Sequence, residues 1–163
     1  MALGVLVSVL SCTKSVSDSE GCVSFAISSE QYLTDITKSN VSDYTTLPQS
    51  EDFVLTVTDS KGASVWSGKS KDWDPAKKLL AGEYKVTAAY GNIEEEGFDK
   101  PCFEGFQTFS VLGKETSQVQ ISTSLANTVV KIICTENLKN YYKDYSFSLT
   151  RNNTDIVTFP KGE

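Results

Sequence analysis

The chain has 163 residues, 39% hydrophobic and 22% charged, with a formal net charge of −6 and no histidine. That length buries one sizeable core rather than two, and its 15 scattered basic residues lack the clustered positive field that nucleic-acid phosphates require. The missing histidine removes Ser-His-Asp and Cys-His nucleophiles, His-ligated zinc and the side chain most often used for proton transfer near neutral pH.

The chain opens on MALGVLVSVLSC. Its apolar run, Ala2 to Leu10, is far shorter than the ~20 residues of a spanning helix and matches the h-region of an export signal. Val9-Leu10-Ser11-Cys12 resembles the bacterial lipobox, in which a small residue precedes the cysteine that receives a diacylglycerol on its sulfur. On this reading residues 1–12 are a lipoprotein signal peptide ending at the lipidated Cys12, and the membrane is reached through that anchor. The competing reading is a buried N-terminal strand with an incidental cysteine. Residues 13–20, TKSVSDSE, have the polar, serine-rich composition of a tether.

From residue 21 to 163 the pattern predicts one β domain. Val23, Phe25 and Ile27 alternate with small or polar residues, as do Phe53, Leu55 and Val57, which is the period of a half-buried strand. Asp59-Ser60-Lys61-Gly62 turns the second of these into a strand over Ala63 to Ser67, a hairpin by turn chemistry. Asp74-Pro75-Ala76-Lys77-Lys78 predicts a single helical turn, with Pro at its first position and Asp74 as cap. A glycine turn then feeds Ala81 to Asn92, where Tyr84, Val86, Ala88 and Tyr90 share one face of a core strand. Further strands are expected over Gln107 to Leu112, Ser117 to Leu125, Val129 to Cys134, Tyr145 to Thr150 and Ile156 to Phe159. The buried parity flips between Ile121 and Val130, which requires a bulge, bend or crossover at Leu125-Ala126-Asn127. Short strands so spaced predict an all-β, antiparallel β-sandwich of about seven strands, immunoglobulin- or transthyretin-like. The given sequence stops at Phe159 to Glu163, where another strand could begin, and the domain is expected to be incomplete or open at that C-terminal end.

Five segments carry a resemblance: Gly82 to Ala88, Tyr90-Gly91-Asn92, Phe98 to Gly105, Leu125 to Val130, and Tyr142 to Tyr145. In this order they resemble a family of Bacteroidales envelope lipoproteins, the domain of unknown function numbered 4493. Its members read as a Gly-x-Tyr-x-Val-x-Ala strand, a Pro-Tyr-Tyr-x-Gly loop, a Leu-Ala-Asn strand and a Tyr-Phe-x-x-Tyr segment. Cys102 stands where that family usually carries an aromatic, leaving Phe103 alone there. The resemblance implies an outer-membrane, lipid-anchored protein on the cell-surface or periplasmic face. It also implies a non-catalytic role in adhesion or ligand binding, with a glycan or another envelope protein as partner. The alternative is a structural spacer or a pilus-like assembly component.

No catalytic residue, metal ligand or cofactor is assigned. Cys22, Cys102 and Cys134 show no C-x-x-C spacing, and no glycine-rich phosphate loop is present. Two acidic clusters, Asp72-Trp73-Asp74 and Glu94-Glu95-Glu96 with Asp99, read as solvated charge ahead of a carboxylate pair or a calcium loop. The binding surface is placed in the loop from Gly91 to Gly105, long for a sandwich connection, with Phe98, Phe103 and Glu104 as candidate ligand contacts. The alternative is that Phe98, Phe103 and Phe106 fold back as a lid over the open end of the sandwich, with the carboxylates merely solvated.

Overall fold

The computed structural model describes residues 20–29 and 40–161. The proposed anchor at Cys12 and nearly all of the tether lie outside the described residues. Strand β1 is Glu20–Ser29, followed by β2, Val54–Asp59, and β3, Ser64–Lys69. Then come β4, Leu79–Leu80, β5, Gly82–Tyr90, β6, Phe103–Val111, and β7, Thr116–Leu125. A six-residue helix α1, Glu136–Tyr141, precedes β8, Phe147–Arg151, and β9, Thr154–Phe159.

The expectation of an all-β chain is met. Seven strands form one curled sheet in the order β3-β2-β5-β6-β7-β1-β4, and β8-β9 form a separate two-stranded sheet. The antiparallel expectation fails at one place: β1 runs parallel to β7 from Cys22–Thr116 to Ser29–Thr123. Alternation reports which face of a strand is buried; it does not report the partner or its direction.

Period two does fix the core. Val23, Leu55, Val57, Val86, Ala88, Phe103, Phe109, Val111, Val119 and Ile121 all join one buried cluster, in which each Val, Leu, Ile or Phe contributes roughly 1.5–3 kcal/mol when fully buried. The predicted β2–β3 hairpin forms. Asp59 Oδ1 accepts the N–H groups of Lys61 and Ala63, both at 2.9 Å, and Gly62 takes a φ of 82° that an L-residue resists. In β5, Val86 and Ala88 are buried, Tyr84 and Tyr90 half-buried, and Tyr84 Oη donates to Leu80 O at 2.9 Å. Burial, then the nearby Asp59 carboxylate, pushes the Tyr84 phenol above its ordinary pKa.

Two local expectations are corrected. Asp74 does cap a turn, accepting the Ala76 N–H at 2.9 Å while Lys77 N–H donates to Asp74 O, but no helical turn follows. Val129 to Cys134 does not form a strand, because no neighbour among the described residues offers it a ladder. Helix α1 follows it, capped by Thr135, whose side chain accepts the Leu138 N–H.

Candidate functional site

The loop from Gly91 to Cys102 joins β5 to β6, and its two ends are pinned close together. Gly91 has a φ of 78°, and a Cβ built there would stand 2.3 Å from the Pro101 carbonyl oxygen. Across that base lies Asn127. Its Oδ1 accepts the Cys102 N–H at 2.9 Å, its Nδ2 donates to Lys100 O at 2.7 Å, and the neighbouring Ala126 N–H donates to Cys102 O at 2.7 Å. The break at Leu125-Ala126-Asn127 is thus where β7 stops pairing as a strand and its side-chain amide takes over, reproducing the hydrogen bonds a strand would have made.

Within the loop Asn92 forms an Asx turn, Oδ1 accepting the Glu94 N–H at 3.1 Å. Lys100 Nζ donates to Glu95 Oε2 at 2.7 Å. That hydrogen bond, followed by one from Asn92, holds the Glu95 carboxyl below its ordinary pKa and raises the Lys100 ammonium. The link is therefore intact above the usual carboxylate range and is lost as pH falls through the lower folded-state value. Both groups are largely in water, so the pair shapes the loop more than it stabilises the fold.

The hairpin β8–β9 closes over this loop. Arg151 pairs with Glu96 at 2.6 Å, and the Phe98 and Phe159 rings meet edge to face with centroids 5.2 Å apart. Between loop and hairpin opens a cleft of about 480 Å³, within the range of small-ligand sites. Ile93, Pro101, Val129, Val130, Leu149, Ile156 and Val157 give it apolar walls; Glu95, Glu96, Asp99, Lys100 and Arg151 give it charge; Tyr44 and Phe98 add aromatic faces.

The three candidate contacts part company here. Phe98 lines the cleft and is 50% exposed. Phe103 is a correction: it is 0% exposed, packed in the core beside Tyr90 with ring centroids 6.4 Å apart. Glu104, one residue on, points from the opposite face of β6 into solvent, paired in register with Ala89 and Ser124. Successive strand residues face opposite ways, so Phe103 and Glu104 never share a surface. Phe103 is buried as a core residue of β6 itself, and Phe106 is 62% exposed beneath Lys85 Nζ, 4.5 Å from its ring centroid.

The described cysteines Cys22, Cys102 and Cys134 are free thiols. Burial, then the Glu104 carboxylate, pushes the Cys102 thiol up and away from a reactive thiolate. Among the described residues no group of three acidic or cysteine side chains is placed to hold a metal ion, and no helix is long and apolar enough to cross a membrane.

The model of the family described as Domain of unknown function (DUF4493) matches residues 19–163. The chain belongs to that family. Comparison with curated proteins and with solved structures finds no match. In this DUF4493 chain three of the five segments that carry the family resemblance meet at the loop base and the cleft. Tyr90-Gly91-Asn92 starts the loop, Phe98 to Gly105 ends it, and Leu125 to Val130 supplies the Asn127 clamp and one wall of the cleft.

Sequence reasoning missed Asn127 as the clamp, although Leu-Ala-Asn was visible as a motif. It also missed Arg151, Leu149 and Val157. Nothing local marks them, because they reach the cleft only through the docking of the hairpin.

Proposed function

We propose that this chain is a lipid-anchored, non-catalytic binding module of the bacterial outer membrane, and that the cleft between the Gly91–Cys102 loop and the β8–β9 hairpin takes an oligosaccharide. The observation that supports this most is Phe98, a half-exposed aromatic face beside the carboxylates of Glu96 and Asp99. A sugar ring offers apolar C–H groups to such a face and hydroxyls to such acceptors. We also read the curled sheet as a half-open sandwich of immunoglobulin- or transthyretin-like kind, with β3-β2-β5-β6 as one layer and β7-β1-β4 as the other. In its favour, β6 and β7 share ladder positions only at Phe103–Leu125 and Glu104–Ser124, and one buried cluster draws residues from both groups of strands.

The test is an oligosaccharide array probed with the wild-type domain and with Phe98→Ala, a change outside the buried core cluster that removes the ring from the cleft together with its contact to Phe159. Retention of some glycan by the wild type, weakened at least tenfold by Phe98→Ala, is the expected result. No retained glycan, or equal retention by both, removes the reading. The anchor rests on Val9 to Cys12 and has its own measurement: in a bacterium that processes lipoproteins, the wild-type chain partitions into the detergent phase and Cys12→Ala into the aqueous phase. Identical partitioning of the two removes the anchor.

A further inference from the structure

The cleft and the start of β1 lie at opposite ends of the sheet. Strand β5 runs from Gly82 to Tyr90 and β6 returns beside it, with Tyr90 opposite Phe103 at the cleft end and Gly82 opposite Val111 at the other. Strand β7 sets out from that second end at Thr116, and β1 runs parallel to it, Cys22 opposite Thr116. Glu20 therefore enters the fold about 26 Å from the cleft loop, measured along the nine residues of β5 at ~3.3 Å per step.

Two leucines stand around this entry point, each more than half exposed and neither part of the buried cluster. Leu80 pairs in register with Glu20 on one side of β1. Leu112 lies on the other side, so close that a Cβ on Gly21 would run into its carbonyl oxygen, and there the Lys114 N–H donates to Glu20 O at 2.8 Å. Charges at this end sit in opposite pairs. Lys78 Nζ is 3.8 Å from Glu20 Oε2, and Glu115 follows Lys114 directly.

We propose that this end of the domain rests on the lipid surface, with Leu80 and Leu112 set into the head-group boundary and the cleft held away from the membrane. The inference rests on the Cys12 anchor proposed above. Chain length is what makes lipid the occupant: the stretch from residue 12 to residue 20 spans at most ~29 Å when fully extended. A lipid-bound Cys12 thus keeps both leucines within a tether's length of the membrane, at the high effective concentration of a short flexible linker. A contact too weak to hold a free protein is then populated. Apolar side chains at the boundary gain by the area they bury, and the balanced charges around them leave that gain independent of lipid charge.

The experiment places the full, lipid-modified chain in nanodiscs of phosphatidylcholine doped with a gadolinium-chelating lipid and measures paramagnetic relaxation of backbone amides by NMR. Expected is an enhancement at Leu80, Leu112 and Lys114 at least tenfold above that at Gly97 and Asn127 beside the cleft. In the double variant Leu80→Ser, Leu112→Ser the enhancement at the entry end falls at least threefold. Each single variant gives a smaller fall in the same direction, so the comparison does not hang on the folding of the double variant. Three results on an anchored chain overturn the proposal and leave the anchor standing: equal enhancement at the two ends; enhancement unchanged in all the variants, which means the domain swings freely on its tether; or a concentration-dependent dimer that protects the leucines, which means the occupant is a second copy. A wild-type chain that stays out of the nanodiscs removes the anchor and this inference together.

Discussion

Phe103→Ala is expected to destabilise the domain by ~3–5 kcal/mol, the range for truncating a large buried aromatic. Phe103 is 0% exposed and opens β6, in register with Tyr90 on one side and Leu125 on the other. Its removal empties a volume bounded by two strands whose backbones are already bonded, so the site has little freedom to collapse. At roughly 2–4 °C per kcal/mol for a domain of this size, the melting temperature falls by ~6–20 °C. Phe98→Ala, five residues earlier and half exposed, leaves it nearly unchanged. Thermal unfolding of the two variants side by side is the measurement. A Phe103→Ala protein as stable as the wild type would return this residue to the list of ligand contacts and contradict its placement in the core.

What the sequence revealed of the fold follows from what alternation encodes. Leu55 and Val57 in β2, and Val86 and Ala88 in β5, announce both a strand and its buried face, and Asp59 to Gly62 announces the turn. The parallel partnership of β1 with β7 joins residues 94 positions apart, as Cys22 and Thr116, and leaves no local trace. Val129 to Cys134 shows the reverse failure. Its apolar parity is that of a strand, yet a strand also needs a neighbour, and Val130, on the face expected to be buried, is 39% exposed. Helix α1 is too short for an apolar period to register; only its cap, Thr135 ahead of Glu136, was there to be read.

The site was legible on one side only. Loop length pointed to Gly91–Cys102, and Phe98 followed from being an aromatic within it. The opposite wall comes from β8 and β9, brought in by Arg151 with Glu96 and by Phe159 with Phe98. A salt bridge between residues 96 and 151 is invisible to spacing. The error over Phe103 has a different cause. Turn signals alone carry the loop to Gly105, whereas β6 begins at Phe103, and a shift of a few residues moves an aromatic from solvent to core.

Gly91→Ala should do more damage than its single added methyl suggests. Two costs combine. The left-handed φ of 78° costs an L-residue about 1–2 kcal/mol. The added Cβ would also lie 2.3 Å from Pro101 O and 3.2 Å from Cys102 Cα, both backbone atoms, which overpacking of this kind penalises by about 1–3 kcal/mol. Gly62 separates the two. It has nearly the same φ, 82°, and a methyl added there would meet nothing within 4 Å, so Gly62→Ala incurs only the backbone cost. Urea denaturation should therefore place Gly91→Ala below Gly62→Ala by about 1–3 kcal/mol. The surplus arises at the loop base, because Pro101 and Cys102 can retreat only by stretching the hydrogen bonds from Asn127 Nδ2 to Lys100 O and from Cys102 N–H to Asn127 Oδ1. Amide exchange at Cys102 should accordingly speed up in Gly91→Ala and stay slow in Gly62→Ala. Equal stability of the two variants, with Cys102 equally protected in both, would mean that the loop ends are not held together as described and that the cleft lacks the rigid floor its proposed ligand requires.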